Sequence, residues 1–513
     1  MWTRWQSGCA QMRLACPRLS FWLRSTGRQL RVTLQISMIF SMIRSLPKPQ
    51  GGDPRMIAPR RIGRRLFIAG LLSSTAGILG PVRGKATPTN PDALHFLPRS
   101  QGAGTGATWA DAAGFRRASA IAAQAEHAQS CLFGVAEPDL PHLWTGQQML
   151  WGQAGTETDP LCLAFGARDG DGAVHQPQTY TDPPLFEMTG HDIRPGERPN
   201  LGGAPFLVFG SDSAHLRISG PVFDRSGGDG FFKIDAGDMV QNLSFSDIHA
   251  RRAGRVIETE RGTCIEGLVV ERCTALGLIR GFARFFDLSE AAFCDLDLDA
   301  DFLDGGGGAV CQIISVTRGH DLGFRNIRLA KAVNTLAAEE RGSSYIQGDG
   351  IVLEEDTRDV RIADCHAEDM GDGGFDLKSD GVHMTNCTAT RCKLGIRIWS
   401  HNAGNLIENC TLTEPVSRPF NEGSCLWVAG NLTARDCTLH STGDMSPIRF
   451  GGGTDRDRDA TLKIEGGVIT HTEGVSLATG TPGEIELVNV RINDTETSGR
   501  FYWNGRRLRR RRW

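Results

Sequence analysis

A six-residue phrase that returns from about residue 240 onward constrains the fold more than any other feature of the chain. The phrase runs apolar, polar, Asn or Asp, small or apolar, polar, apolar. It occupies residues 245–250, 270–275, 324–329, 362–367, 384–389, 407–412, 434–439, 464–469 and 487–492. Most steps between successive copies lie between 22 and 30 residues, which is the period of a solenoid coil.

Apolar positions alternate within each coil, and Gly, Asn and Asp mark the corners, as is typical of short strands with one buried face. Stacked about 4.8 Å apart, such strands form parallel sheets around one continuous core. A leucine-rich horseshoe has a similar period, but its helical half is missing here. The sequence therefore predicts an all-β fold, a right-handed parallel β-helix built as a single-stranded solenoid.

The coils are expected to fill residues 200–495 as one domain. Residues 87–200 are interpreted as an N-terminal cap and the first, irregular coils, because residues 106–129 have the apolar spacing of an amphipathic helix. Such a capping helix would cover the open end of the first coil. Residues 496–513 are an arginine-rich basic C-terminal tail, which we expect to be a disordered extension.

Two vertical ladders follow from the stacking. The third position of the phrase is usually Asn or Asp, which fits a corner with left-handed backbone. These residues are Asp247, Asn326, Asp364, Asn386, Asn409, Asp436 and Asn489. Five fourth positions are predicted to be small buried thiols, with disulfides between adjacent coils as the alternative. They are Cys273, Cys365, Cys387, Cys410 and Cys437.

The N-terminal region carries an export pattern. Residues 56–86 contain a basic stretch, an apolar stretch and small residues before Thr87, the layout of a secretory signal. The pair Arg64 and Arg65 before an apolar run resembles a twin-arginine signal. We therefore expect a bacterial protein that is periplasmic or secreted, with its true start at Met56. Residues 1–55 are then a wrongly assigned or disordered N-terminal extension.

The charge balance of the body excludes some partners. Residues 87–505 carry 35 Lys or Arg against 58 Asp or Glu, so binding to nucleic acid is not expected. No apolar run reaches the roughly 18 residues of a membrane span, and no transmembrane segment is expected in the mature protein. The mature protein is expected to be a monomer.

The segment 348–402 is the richest in polar side chains that could act on a ligand. Its inward residues, and those of the next coils, are taken as Ile351, Phe375, Ile396, Leu426, Ile448 and Val475. The following residue in each coil then points outward, which gives an exposed column of Val352, Asp376, Arg397, Trp427, Arg449 and Ser476. An aromatic face between cations suits a sugar that carries a carboxylate. An acidic polysaccharide is therefore the predicted ligand, and a solvated charged face is the alternative.

Acidic residues cluster at the corner beside this column, namely Asp349, Glu354, Glu355, Asp356, Glu368, Asp369, Asp372 and Asp376. Calcium takes about six to eight oxygen ligands, and carboxylates on adjoining coils can provide several of them. Calcium is therefore a candidate cofactor. Because Asp-Gly pairs also occur simply as corner turns, a purely structural role is the alternative.

Two phrases in this segment resemble the right-handed β-helix pectate lyases, particularly those of polysaccharide lyase family nine. They are residues 372–377, DGGFDL, and residues 395–398, GIRI, within repeats that resemble the family over residues 200–495. The resemblance implies calcium ligands at Asp349, Asp372 and Asp376. Gly373 stands where the family has a second Asp, and Arg397 matches the position of the family's catalytic Lys.

The activity that this resemblance implies is β-elimination on a uronate-containing polysaccharide. Calcium or Arg449 would neutralise the uronate carboxylate, Arg397 would remove the proton at carbon five, and His401 would protonate the leaving group. Lys378 is the reserve candidate for the base, because Lys changes its protonation more readily than Arg. The predicted substrate-binding residues are Trp427, Arg449 and Trp399.

Other functions stay open. A non-catalytic protein that binds or guides an exported polysaccharide fits the same fold, since fold alone does not give function. A glycoside hydrolase needs paired carboxylates, and the Asn-x-Asp and Gly-Asp-Asp motifs of polygalacturonases are missing. The Asp-Pro-His-Glu signature of mannuronan epimerases is also missing. Hydrolysis and epimerisation therefore rank below elimination.

Overall fold

The computed structural model describes residues 19–25, 28–34, 93–124, 130–135, 142–144, 149–168, 174–175, 179, 181–182, 186–188, 205–401, 404–419, 422–451 and 459–511. The chain divides into two compact units, Met1–Gly80 and Pro81–Trp513. In the first unit, Leu19–Ser25 and Arg28–Leu34 form an antiparallel pair, where the sequence predicted no folded element. The predicted export signal, residues 56–86, lies outside the described residues.

The second unit is a parallel β-helix, because each coil contributes a strand to each of three sheets and each strand pairs with the next coil in parallel. The first sheet contains Met149–Trp151, Leu207–Phe209, Phe232–Ile234, Ile257–Thr259, Gly373–Leu377, Leu394–Ile398, Ser424–Val428, Ile448–Phe450 and Ala478–Gly480. Three long strands begin in this sheet and bend into the next, namely Ala283–Asp299, Gln312–Ala330 and Asp349–Ala363.

The second sheet follows the first along each coil. Its strands are Leu94–Leu97, Cys131–Val135, Leu161–Arg168, Leu216–Ser219, Met239–Ser246, Cys264–Glu271, Asp380–Thr385, Leu406–Glu408, Asn431–Arg435, Ala460–Glu465 and the first part of Gly483–Ile492. The middle parts of the three long strands complete it.

The third sheet closes each coil. Its strands are His142–Trp144, Phe186–Met188, Val222–Ser226, His249–Ala253, Thr274–Leu278, His366–Glu368, Thr388–Thr390, Thr411–Thr413, Thr438–His440 and Val468–Thr470. The ends of Ala283–Asp299, Gln312–Ala330 and Gly483–Ile492 also belong to it. The predicted repeat is therefore the turn from the second sheet into the third.

The core fills the inside of the coils as one continuous cluster from Leu94 to Trp503. The repeat anchors are part of it, since Ile248, Cys387 and Val490 are all fully buried. The five ladder cysteines are free thiols that lie in the core, as predicted. Among the described residues, no helix is long and apolar enough to cross a membrane.

The corner ladder has the predicted backbone. All seven Asn and Asp residues of the ladder have φ between 50° and 54°. Asn and Asp adopt this left-handed region more readily than other side chains because they form local hydrogen bonds. Adjacent ladder residues also bond to each other, as where the Asn386 side chain donates to Asp364 over 3.1 Å. The ladder therefore fixes the corner and joins neighbouring coils.

The two ends of the β-helix differ from the predictions. In place of one helix over residues 106–129, there are 3-10 turns at Trp109–Asp111 and Phe115–Arg117, a short strand at Ala113–Gly114 and an α-helix at Ala118–Ala122. The long helix was wrong because Ala113 and Phe115 enter the core as parts of a coil. The capping role stays a prediction.

At the other end, the basic tail is folded in its described part. Thr495–Trp503 pairs antiparallel with Gly483–Ile492, and Leu508–Arg510 pairs with Thr495–Trp503. The expected disordered extension is therefore wrong for these residues, because Trp503 is buried and its indole donates to the Gly480 carbonyl. A second short helix, Thr335–Glu340, lies in the long connection before Asp349–Ala363.

Candidate functional site

The outward column of the first sheet has the register that the repeat predicted. Val352 pairs with Asp376, Asp376 with Arg397, Arg397 with Trp427, and Trp427 with Arg449. These side chains therefore lie on successive coils of one wall. The prediction was wrong for Ser476, the last residue of the column. Arg449 pairs instead with Thr479, because the loop after Val468–Thr470 is longer than the sequence pattern predicted.

The column is outward-facing but not exposed, which also differs from the prediction. Val352 is completely buried, and Asp376, Arg397 and Trp427 expose only 5%, 8% and 9% of their surface. Neighbouring side chains of the same wall cover them. The accessible rim consists of the half-buried residues Lys378, Trp399 and Arg449.

Three carboxylates, Asp349, Asp372 and Asp376, meet at the centre of this wall and are called the aspartate cluster below. The Asp349 carboxylate accepts a hydrogen bond from the Gly373 amide over 2.8 Å. Asp372 lies next in the chain to Gly373, and its oxygens contact Arg397 over 2.7 Å and Lys393 over 3.1 Å. All three carboxylates are almost fully buried.

Arg397 joins the cluster to the aromatic side chains. Its guanidinium lies 3.4 Å from the Asp376 carboxylate, 4.8 Å from the Trp399 ring centre and 5.1 Å from the Trp427 ring centre. The Trp399 indole donates a hydrogen bond to Asp376 over 2.7 Å. Arg397 therefore makes two kinds of contact: an ion pair with the Asp376 carboxylate and cation–π contacts with the two indole rings.

The protonation states of Asp349 and Asp372 are pushed in opposite directions. Burial raises the pKa of Asp349 well above its usual range, and the charges of Asp372 and Asp376 add to the effect. Burial also acts on Asp372, but the positive charges of Arg397 and Lys393 outweigh it and lower the pKa of Asp372. One carboxyl therefore favours the protonated form and its neighbour the ionised form.

Arg397 is held as a cation. Burial alone would lower its pKa, but the carboxylates of Asp376 and Asp372 outweigh burial and raise the pKa of Arg397. A guanidinium in this setting does not release its proton to act as a base. These carboxylates favour the cationic form of Arg397, and its predicted role as the base of a β-elimination stays a prediction.

Two residues of the site were missed from the sequence. Lys393 is fully buried between Asp372 and the Tyr345 ring, 4.3 Å from the ring centre. The Tyr345 hydroxyl donates a hydrogen bond to Asp372. Lys393 could have been found, because the pairing of Gly373 with Leu394 places it beside Asp372. Tyr345 comes from a non-repeating loop and gave no such signal.

Trp427 and Trp399 form one aromatic pair. Their ring centres are 4.4 Å apart with a tilt of 54°, and Trp427 packs over Gly451. A Cβ atom at Gly451 would lie 1.9 Å from the Trp427 ring, so only glycine leaves space for the indole. The half-buried Trp399 is therefore the more accessible of the two predicted sugar platforms.

The remaining predicted residues lie at different distances from the cluster. Lys378 is on the wall, 2.7 Å from Glu354 and 3.8 Å from Asp376. Arg449 is at the rim, 3.9 Å from Glu422. The ring nitrogens of His401 are buried and lack a hydrogen-bond partner among the described residues, and no described contact links His401 to the aspartate cluster.

The acidic residues that the sequence grouped together separate in space. Glu368 belongs to the third sheet, where it contacts Arg328 over 2.5 Å and Arg391 over 3.3 Å. Asp369 contacts the same Arg391. Asp356 is exposed and pairs with Arg318 where the long strands enter the second sheet. Among the acidic side chains that the structure describes, Asp349, Asp372 and Asp376 form a common site.

The aspartate cluster faces protein cations, and calcium at this place stays a prediction. Asp372 Oδ2 accepts hydrogen bonds from Arg397 and Tyr345, whereas Asp372 Oδ1 lies 3.1 Å from the Lys393 ammonium without a hydrogen bond. The Asp376 carboxylate contacts Trp399 and Arg397. Within the described residues, no group of three or more His, Cys, Asp or Glu side chains has an arrangement that could hold a metal ion. Protein cations occupy the positions where a calcium site needs free oxygens.

Gly373 explains part of this difference from the lyase pattern. A Cβ atom there would lie 3.2 Å from the Asp349 carboxylate, 3.3 Å from Asp376 and 3.4 Å from Arg397. A second aspartate at this position would crowd three side chains of the cluster at once. The glycine therefore belongs to a compact arrangement of carboxylates and Arg397.

Comparison with a family of known proteins supports the fold. The family model described as "Right handed beta helix region" matches residues 343–509. With the strand pairing above, this confirms the predicted all-β, right-handed parallel β-helix. A search of curated proteins found no match. The narrower resemblance to polysaccharide lyase family nine stays a prediction.

Solved structures with similar folds are distant from this chain. The catalytic domain of a GH87 alpha-1,3-glucanase in complex with nigerose is 10% identical with a TM-score of 0.43, over 80% of this chain and 66% of that chain. An exopolygalacturonase from Thermotoga maritima is 9% identical with a TM-score of 0.38, over 77% of this chain and 90% of that chain. The A-module of the mannuronan C-5 epimerase AlgE4 from Azotobacter vinelandii is 10% identical with a TM-score of 0.32, over 74% of this chain and 90% of that chain.

These three proteins are carbohydrate-active enzymes, and what this chain shares with them is the β-helix fold. The chain spans slightly less than two thirds of the glucanase chain. At these identities and TM-scores the likeness is one of fold alone.

Proposed function

We propose that this protein is an enzyme that cleaves the glycosidic bonds of an acidic polysaccharide by acid–base catalysis at the aspartate cluster. The observation that carries the proposal is the meeting of the Asp349 and Asp372 carboxylates beside Gly373 and Arg397, in surroundings that shift their pKa values in opposite directions. Neighbouring titratable groups whose surroundings push their pKa values apart are suited to the roles of acid and base.

Asp349 is assigned as the general acid. Its raised pKa favours the protonated carboxyl, which can give its proton to the glycosidic oxygen as the bond to carbon one breaks. Gly373 donates a hydrogen bond to one Asp349 oxygen and holds the carboxyl in place.

Asp372 is assigned as the general base. Its lowered pKa keeps it ionised, so that it can take a proton from the water that attacks carbon one. Arg397 and Lys393 then act as fixed charges that keep Asp372 ionised and the site preorganised. The sum of these steps is hydrolysis, in which one water molecule is consumed and no unsaturated sugar forms.

The rim of the wall supplies recognition of the substrate. Trp399 offers a ring for a sugar, and Lys378 lies 5.7 Å from the centre of this ring. Arg449 lies further along the same wall and can pair with a uronate carboxylate. These groups support an acidic polysaccharide as the substrate class.

β-Elimination is the second candidate reaction. It is favoured by the three cations Lys378, Arg397 and Arg449 on one wall, which could neutralise a uronate carboxylate. With Arg397 held as a cation, the base of this reaction would be Lys378. No step of either reaction is assigned to calcium.

Product analysis separates these reactions. The protein is incubated with a panel of uronate polysaccharides, and both new reducing ends and the ultraviolet absorbance of unsaturated sugars are followed. Hydrolysis gives reducing ends without absorbance, elimination gives both, and a binding or scaffold protein gives neither. We expect reducing ends alone, with no effect of a calcium chelator.

Variants of the two carboxylates, with a matched control, test whether these residues catalyse the reaction. Asp349→Asn and Asp372→Asn are each expected to lower the rate by about a hundredfold or more, as loss of an acid or base does. The exposed Asp212→Asn serves as the control and is expected to retain the full rate. Activity that survives in both cluster variants would remove the assignment.

We also propose that the protein is exported, on the basis of the signal pattern in residues 56–86. N-terminal sequencing of the protein recovered from a bacterial periplasm or medium is expected to begin near Thr87. Recovery of a chain that retains residues 1–55 would contradict both the export signal and the start at Met56.

A further inference from the structure

We propose a second, anion-binding subsite at Arg261, Arg284 and Phe286, which binds a uronate of the same polysaccharide chain that reaches the aspartate cluster. The inference rests on the acidic polysaccharide proposed above as substrate, but it does not depend on which reaction occurs. It adds a recognition site on coils that precede the cluster.

Two guanidinium groups share one aromatic ring at this place. The Arg284 and Arg261 guanidinium carbons lie 4.6 Å and 5.3 Å from the centre of the Phe286 ring. Like charges repel, so this arrangement is costly unless an anion joins them. Both groups face a surface pocket of about 370 Å³, which Gln312, Ser315 and Thr317 line with hydrogen-bonding groups.

The pocket is lined by two arginines and two carboxylates, and further basic side chains lie beside Arg284. Arg255 and Arg280 lie close enough to Arg284 to interact with its charge, and burial is the main cause that lowers the pKa of Arg284. Glu258 is a shared counter-ion, 3.7 Å from Arg255 and 3.8 Å from Arg284. Glu260 pairs with Lys233 over 2.9 Å and also lies close enough to Arg261 and Arg284 to act on their charges.

Two acidic side chains, Glu354 and Asp356, line the same pocket and offset part of the positive charge around it. Glu354 lines the pocket but binds Lys378 over 2.7 Å. Asp356 is the other carboxylate of the lining. A cationic cluster of this kind is unusual in a body with 35 basic and 58 acidic residues between positions 87 and 505. It therefore marks a place where an anion can bind.

The subsite and the aspartate cluster lie on one continuous wall. Arg284 pairs with Ser315, Ser315 with Val352, Val352 with Asp376, and Asp376 with Arg397. Four coil steps therefore separate Arg284 from Arg397, which is about 19 Å at the spacing of neighbouring strands. A single sugar cannot reach both places, but an oligosaccharide that lies along the helix axis can.

The test is the dependence of binding on oligosaccharide length. Binding of a galacturonate disaccharide and of an octasaccharide is measured by calorimetry in the Asp372→Asn background, so that the ligand stays intact. The double variant Arg261→Gln, Arg284→Gln is compared with the control Arg217→Gln, which removes one exposed charge elsewhere.

We expect the octasaccharide to bind more tightly than the disaccharide, and the double variant to lose about tenfold in octasaccharide affinity. Its disaccharide affinity and the binding of the control variant should stay unchanged. A double variant that binds both ligands as the control does would overturn the subsite, as would a protein that binds neither ligand. Absence of cleavage in the wild type, together with this length-dependent loss, would instead contradict the proposed reaction and leave the subsite in place.

Discussion

At the residue scale, Asp372 is the best-defined member of the site because three side chains and its burial determine its protonation state. Arg397 and Lys393 provide positive charge, Tyr345 donates a hydrogen bond, and burial opposes ionisation. The two cations and the hydrogen bond outweigh burial, so the ionised form is favoured. The same cluster leaves Asp349 without a cation of its own at hydrogen-bond distance, and its shift has the opposite direction.

Replacement of Tyr345 by Phe tests this balance. The hydroxyl stabilises ionised Asp372, so Tyr345→Phe raises the pKa of Asp372. Cleavage, which needs ionised Asp372, should then decline at a higher pH, by about one pH unit if the bond has the strength usual for a charged acceptor. The control is Tyr502→Phe, which removes an exposed hydroxyl bonded to Asp459. If the cleavage rate of Tyr345→Phe falls in acid at the same pH as that of the wild type, the role of the hydroxyl is contradicted.

Replacement of Asp349 by Asn is expected to increase stability at neutral pH. The folded-state pKa of Asp349 is raised, so the folded protein holds a proton that the unfolded chain releases, and stability falls as pH rises between the two values. The neutral amide removes this pH-dependent loss. Thermal unfolding should show a higher midpoint for Asp349→Asn at neutral pH, with the difference shrinking in acid. A lower midpoint at neutral pH would argue that the Asp349 carboxyl is stabilising instead.

At the scale of the element, the coil corner does most to set the register. The ladder residues hold left-handed backbone and bond to their neighbours one coil away. The third-sheet strands of successive coils therefore begin in the same register, and the anchor residues of each coil point into the core. The free thiols of the anchors add small apolar volume at this place.

Substitutions at Asn386 separate the two contributions of the ladder. Asn386 has φ of 53°, so Asn386→Ala should cost about 1–2 kcal/mol in free energy of unfolding from backbone strain, besides the lost hydrogen bond to Asp364. Asn386→Gly removes the same bond without the strain and is the matched control. Chemical denaturation compares the two. Equal loss in both variants would mean that the side-chain bond, and not the backbone, carries the effect.

Much of this element was predictable because it repeats. The spacing of the phrase gave the strands, the inward anchors, the left-handed corners and the stacking of Asp376, Arg397 and Trp427. The burial of that column was not predictable, because it depends on side chains that fold across the wall, such as Trp399 over Asp376. Tyr345 was missed because its loop has no counterpart in other coils.

At the scale of the whole molecule, the β-helix has to close the sheet edges at its ends. The C-terminal strands Thr495–Trp503 and Leu508–Arg510 pair antiparallel on the last coil. An open edge would present unpaired backbone groups to other chains. The arginines of these strands add charge at the same end, which opposes association.

Removal of residues 495–513 should therefore promote aggregation. The truncated chain exposes Gly483–Ile492 as an edge and loses the buried Trp503. Size-exclusion chromatography is expected to show large assemblies, and thermal unfolding a lower midpoint. A full-length variant with Arg506→Ser and Arg507→Ser retains the strands and tests whether charge alone matters. A monomeric, equally stable truncated chain would show that this hairpin is dispensable.

The central claim is that Asp349 acts in its protonated form and Asp372 in its ionised form on a glycosidic bond. The most direct measurement is the rate of reducing-end release by the wild-type protein from a uronate polysaccharide across a range of pH. We predict a bell-shaped profile, since the rate falls in acid as Asp372 gains a proton and in alkali as Asp349 loses one. A rate that only rises toward alkaline pH, with unsaturated product, or bound polysaccharide that stays intact at every pH, would contradict the account.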